Sequence, residues 1–245
     1  MNAARDLVLI MGSGPGALVT RDWAAHPFDA VVAINNAWQI RPDWTHHIHP
    51  EDFPPERGPE TRRPGQETVL YREYVPSNNR FGGVFYAGGT MAFTAGYWAL
   101  DCLRPRVLAF VGCDMVYPAT GKTHFYGSGT ADPLRADPTL RSLEAKAARL
   151  WFKAAGQGCA CVNLSQDESR LVFPRTTLSE LGQVDLPAFP EAAPATAERL
   201  EREADYNVPS GRYWEQAERF DPDRIDAIDG AWRDAYDAMR AGVRS

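Results

Sequence analysis

Apolar residues along this chain fall into two kinds of run. Short continuous blocks, each stopped by glycine, asparagine or proline, alternate with longer stretches in which apolar residues recur every three or four positions. Leu7 to Met11 is the first block and ends at glycine, Ala30 to Ile34 is the second and ends at Asn35-Asn36, and Trp44 to His49 is a weaker third before Pro50. Unbroken apolar blocks are how strands covered on both faces of a parallel sheet read. A short strand around Thr68 to Tyr71, a convincing one at Val107 to Val111 and another at Cys159 to Asn163 complete the set.

Helical spacing appears between them. Met91, Ala95, Trp98 and Cys102 share one face, which puts Gly88-Gly89 just before a helix N-terminus. Leu140, Leu143, Ala147, Leu150 and Ala154 mark a second helix, stopped by Gly156 and Gly158. Glu51 to Gln66 is rich in proline and charge and reads as a surface loop. Strands alternating with helices predict an α/β, Rossmann-like, doubly wound and mostly parallel sheet. Met115 to Asp137, rich in Gly, Pro, Thr and Tyr, reads as a lid over the strand ends. Beyond Ser179 the composition shifts to Pro, Ala and Glu, with polar helices around Ala195 to Ala204 and Ile225 to Ala241. We therefore divide the chain into an α/β domain, 1–180, and a C-terminal helical extension, 181–245. Tyr213, Trp214, Phe220, Trp232 and Tyr236 give that tail aromatic surface to bury on the core or on a second subunit.

Composition narrows the partners. Of 245 residues 44% are hydrophobic and 24% charged, which suits a globular protein with a sizeable core. The net charge is −6 and the Lys and Arg residues are dispersed, so no basic face for nucleic acid is expected. No apolar run approaches the roughly 20 residues that span a bilayer, and the start of the chain shows no signal-peptide pattern. The expected location is the cytoplasm. Cys102, Cys113, Cys159 and Cys161 each sit in an apolar segment, as reduced core thiols do.

The turn Gly12-Ser13-Gly14-Pro15-Gly16 after the first strand invites a phosphate, because glycine lets backbone amides approach an anion. An NAD site would want an acidic residue at the end of the second strand, where this chain has Asn35. Gly121-Lys122-Thr123 resembles the end of a P-loop, but Val116 stands where that motif needs glycine. His46, His47 and His49 look metal-like, yet no second ligand cluster accompanies them. We read them as a ligand-facing or surface strand end and expect no metal. His124, between Thr123 and Phe125-Tyr126, is the candidate base, since a neutral imidazole can take a proton from an attacking hydroxyl.

These motifs, in this order from Leu7 to Asn163, resemble the bacterial sialyltransferases of glycosyltransferase family 42 and the related archaeal 6-hydroxymethylpterin pyrophosphokinases. The opening turn resembles the family's Gly-Asn-Gly-Pro-Ser, Asn35 its second-strand asparagine, and Gly88-Gly89-Thr90 its Thr-Ser-Gly at the helix start. Gly112-Cys113-Asp114 resembles its Gly-Ile-Asp strand end. The resemblance implies a nucleotide site at Gly12, Ser13, Gly14, Asn35, Gly88, Gly89, Thr90, Gly112 and Asp114. It implies a histidine base, which the family carries where this chain has Ser128 and which we assign to His124 instead, with Tyr117 and Tyr126 stabilising a leaving phosphate and no cofactor required. Ser13, Gly89 and Ser128 depart from the family pattern. The expected activity is transfer of a sugar from a nucleotide-activated, CMP-type donor to a hydroxyl on a glycan or small-molecule acceptor. Two alternatives remain: an ATP- and Mg2+-dependent pyrophosphokinase, with Asp114 on the metal and Lys122 on the phosphates, and a non-catalytic nucleotide-binding protein.

Overall fold

A computed structural model describes residues 6–117, 123–127 and 136–242. Gly121, Lys122 and Ser128 lie outside the described residues, as does much of the segment expected to be a lid.

Six strands form one all-parallel sheet: β1 (Leu7–Met11), β2 (Ala30–Ile34), β3 (His46–Ile48), β4 (Glu67–Val69), β5 (Val107–Val111) and β6 (Ala160–Asn163). Their order is β4-β3-β2-β1-β5-β6. The chain therefore builds outward from β1 in one direction, then returns to β1's other side with β5. Right-handed crossovers put the connections of the two halves on opposite faces, which is the doubly wound fold the strand pattern predicted.

The two faces are covered differently. Val8, Ile10, Val32, Leu108 and Phe110 face a core shared with the six described α-helices: α1 (Tyr71–Asn79), α2 (Val84–Ala87), α3 (Met91–Cys102), α4 (Leu143–Ala155), α5 (Ala195–Ala204) and α6 (Pro222–Gly242). Leu9, Met11, Val31, Ala33, Ala109 and Val111 face a thinner layer of 3-10 turns, including Pro15–Asp22 and Asn35–Gln39. Strand residues alternate between faces, so a five-residue apolar block supplies both layers at once.

The C-terminal segment belongs to the helical face. Trp232 and Tyr236 of α6 pack on Trp151 and Phe152 of α4, and Tyr213 and Phe220 pack on Phe85. Of Tyr213, Trp214, Phe220, Trp232 and Tyr236 only Trp214 stays outside, 59% exposed. No described helix is long and apolar enough to cross a membrane.

One stretch was not foreseen, and one expectation needs correction. The stretch after β4 holds α1 and α2, which apolar spacing did not announce: α1 contains Pro76 and ends Ser77-Asn78-Asn79. Asn78 is nevertheless fully buried, its amide donating to the Tyr74 carbonyl at 2.8 Å, so a polar residue occupies a core position by local pairing. Cys102 is exposed, whereas Cys113, Cys159 and Cys161 are buried free thiols, because the last turn of α3 emerges from the core.

Candidate functional site

β1 and β5 are neighbours whose onward connections diverge, so a crevice opens beyond their C-terminal ends. The glycine turn crosses this crevice. A Cβ on Gly12 would lie 2.3 Å from the Gly112 carbonyl oxygen, and one on Gly14 would lie 2.7 Å from it. Gly112 itself has φ +65°, and its Cβ would meet Ala17 at 2.5 Å. These glycines are required because two strand ends interlock. The Gly12 amide donates to Val111 and the Gly14 amide to Gly112, each at 2.9 Å, so both amides are already paired inside the protein. The Ser13 hydroxyl donates to the Ile34 carbonyl at 3.2 Å, tying the turn to β2.

Asn35 ends β2 in the left-handed region, with φ +51°. Asparagine is among the few non-glycine residues that tolerate this backbone. Its carbonyl accepts a 2.7 Å hydrogen bond from His47 Nε2 on the adjacent strand. Its side-chain Oδ1 is shielded from solvent and has no partner among the described residues. A buried acceptor left unpaired asks for a donor from elsewhere, and Asn35 lines the cleft. His47 is 1% exposed, and burial pushes its pKa down to about 4. A neutral imidazole with its proton on Nε2 satisfies the Asn35 carbonyl. The His47 and His49 ring centroids lie 4.9 Å apart, but His47 serves backbone geometry. Among the described residues no group of three His, Cys, Asp or Glu side chains is arranged to hold a metal.

The N-terminus of α3 supplies the third wall. Thr90 caps it, its hydroxyl accepting from the Phe93 amide at 3.4 Å, and Thr90, Met91 and Ala92 line the cleft. First-turn amides have no intrahelical acceptor and carry the positive end of the helix dipole. None of the described lining residues is cationic, so an anion here would be met by these amides. The two preceding glycines do other work. A Cβ on Gly88, φ +93°, would press on Lys146 and Phe93 at 3.0 and 3.2 Å, and the Gly89 amide donates to Thr139 Oγ1 at 2.9 Å.

Over the cleft lies the tight turn Thr123 to Gly127. His124 and Gly127 exchange backbone hydrogen bonds of 3.0 and 3.1 Å, and the Phe125 amide donates to the Ser13 carbonyl at 3.0 Å. Phe125 anchors the turn against the thinner core layer. His124 stacks on Tyr126 with centroids 5.0 Å apart and lies 6.1 Å from the Tyr117 ring. Its Nδ1 is 2.9 Å from the Thr123 hydroxyl. Gly12, Ser13, Gly14, Asn35, Thr90, Gly112, Tyr117, His124 and Tyr126 thus surround one cleft of about 130 Å³.

Asp114 stands apart from that wall. It faces β6, where Asn163 Nδ2 donates to its carboxylate at 3.4 Å, and the position of a Cβ on Gly16 lies 3.7 Å from Asp114 Oδ2 and 3.5 Å from Asp167 Oδ2. Sequence reasoning missed a second space. Across Met91 lies a cavity of about 500 Å³, bounded by Glu51, Asp52, Tyr71, Tyr74, Gly211, Tyr213 and Trp214 among others. Its walls come from four distant parts of the chain, and no local spacing joins them.

Fold and cleft together define a parallel α/β protein with a small cleft at the sheet's switch point. No family model, curated protein or solved structure matches this chain.

Proposed function

We propose that this chain transfers a sugar from a nucleotide-activated donor, of the CMP-sugar kind, to an acceptor hydroxyl. The observation that carries this reading is the meeting of His124, Tyr117 and Tyr126 with Asn35 and the first turn of α3 at the switch point. The motif order that resembles the sialyltransferases supports it.

The cleft is smaller than ordinary ligand pockets of roughly 300–1,000 Å³, and fits the phosphate end of a donor, where bonds change. The α3 amides face the phosphate, and the Asn35 oxygen accepts a hydrogen bond from the donor. With Nδ1–H donating to Thr123, His124 Nε2 takes the acceptor's hydroxyl proton. The acceptor oxygen then bonds to the anomeric carbon as the bond from that carbon to the phosphate oxygen breaks. The electron pair leaves with the phosphate, towards which the Tyr117 and Tyr126 hydroxyls donate. Nucleotide sugars and three buried free thiols both suit the reducing cytoplasm, where we place the reaction.

A second reading, pyrophosphoryl transfer from ATP, is favoured by the Asp114 and Asp167 carboxylates beside Gly16, which suit Mg2+. Thermal unfolding with CMP, and with ATP plus Mg2+, separates the two. CMP alone is expected to raise the melting temperature. A rise only with ATP and Mg2+ would transfer the assignment to the second reading. Catalysis is tested by donor turnover, which is expected to fall about 10²-fold or more in His124→Ala. Equal turnover in both proteins would remove His124 from the reaction, and no turnover in either would leave a nucleotide-binding protein.

A further inference from the structure

The 500 Å³ cavity beyond Met91 is closed by the C-terminal segment, which is fastened there at four points. Asn79 Nδ2 donates to the Pro209 carbonyl at 2.8 Å, and the Tyr71 hydroxyl donates to the Ser210 carbonyl. Arg212 pairs with Glu51 at 3.4 Å, and the Tyr213 hydroxyl donates to Asp137 at 2.7 Å. Asp137 is held in turn by the Thr139 amide and hydroxyl, at 2.8 and 2.6 Å. A stretch of tail tied down this often at a cavity mouth keeps a fixed shape there.

The chemistry inside selects a ligand. Tyr71, Tyr74 and Tyr213 line the cavity with rings and phenolic oxygens, and Trp214 stands at its edge, 59% exposed. Burial, and then the charges of Glu51 and Asp52, push the Tyr74 pKa up to about 12, so its hydroxyl remains a donor. The Asp52 carboxylate repels anions. A cation would favour the space between Glu51 and the Tyr71 ring, but Arg212 fills it, its guanidinium 5.7 Å from the ring centroid. Asp52 enters no ion pair among the described residues. What remains is a carboxylate that accepts from hydroxyls, phenols that pair with them, and aromatic faces that cover C–H surfaces.

We propose that this cavity binds a neutral sugar ring; on the glycosyl-transfer reading, on which this role rests, that ring is the acceptor. Met91 lines both spaces, so this cavity adjoins the cleft that His124 overlies, where an acceptor is needed. The preference runs against acidic acceptors.

The test uses the full chain and titrates methyl β-galactoside and methyl β-glucoside, followed by saturation-transfer NMR and calorimetry. Glucuronate and tetramethylammonium serve as the acidic and cationic probes. At least one neutral glycoside is expected to bind saturably at millimolar concentration. That binding should weaken about fivefold or more in Trp214→Ala and in Asp52→Asn, with the unfolding temperature of the free protein as the control for folding. No saturable binding to the wild-type chain would overturn the proposal, as would affinity unchanged in both variants. Tighter binding of glucuronate or tetramethylammonium would overturn it too. If glycosides bind but CMP leaves the wild-type melting temperature unmoved, the glycosyl-transfer reading falls and the sugar site stands. The opposite pair of results removes the sugar site alone.

Discussion

His47 shows how a residue without ligand contact shapes the cleft. It lies on β3, beneath the end of β2, and its Nε2 proton holds the carbonyl of Asn35 in a backbone conformation that few residues adopt. Two histidines on one strand face were legible in the sequence, but the partner of His47 was not. That partner depends on the parallel register, in which Ala33 stands opposite His47. The pairing has a pH signature. The folded pKa of about 4 lies below the ordinary 6.5, so below pH 6.5 the unfolded chain gains a proton that the folded chain resists. Stability is therefore expected to be flat above pH 6.5 and to fall between pH 6.5 and 4, by up to about 3 kcal/mol in all. His47→Gln keeps an N–H donor and removes the titration. Urea unfolding across this range should show a shallower slope for the variant, and an unchanged slope would assign the pH dependence elsewhere.

At the scale of elements, α4, α5 and α6 meet around one buried guanidinium. Arg149 of α4 donates to Glu201 of α5 at 2.7 and 2.9 Å and to the Tyr97 hydroxyl at 2.8 Å, while Trp232 of α6 donates to Glu201 at 2.7 Å. Burial pushes the Glu201 pKa up, but Arg149 and Trp232 outweigh it and hold the carboxyl below its ordinary value. The associated stability is present at neutral pH and is lost as pH falls through that lowered pKa. Glu201→Ala leaves Arg149 buried and unpaired and is expected to cost about 3–5 kcal/mol. Glu203→Ala, which breaks the exposed Arg199–Glu203 pair, should cost within about 0.5 kcal/mol. Equal losses in denaturant unfolding would remove the special role of the knot. The helical spacing of Leu143, Ala147, Leu150 and Ala154 predicted α4, of whose thirteen residues eleven are buried. It did not predict that Arg149 and Lys146 point inward, because their partners Glu201 and Asp229 are supplied by the tail.

For the molecule as a whole, the tail is part of the helical layer. A fragment ending at residue 180 would strip Glu201 and Asp229 from two buried cations and uncover Trp151 and Phe152. It is expected to show no cooperative thermal transition by circular dichroism, whereas a sharp transition would show that the first 180 residues fold without the tail. The sequence by itself determined the six strands and the helices with clean apolar spacing, and its motifs named nine of the residues that line the cleft while also naming Gly88, Gly89 and Asp114, which do not. A period of two or of 3.6 and a glycine stop are local properties, written wherever a strand or helix must bury a face. Tertiary structure decided why the opening glycines are there, since Gly12 and Gly14 are needed for contact with Gly112 and their amides are already paired. It also decided the left-handed hold on Asn35, the withdrawal of Asp114 towards β6, and the aromatic cavity closed by the tail. Each of these rests on residues brought together across distant parts of the chain, and chain spacing carries no record of such pairings.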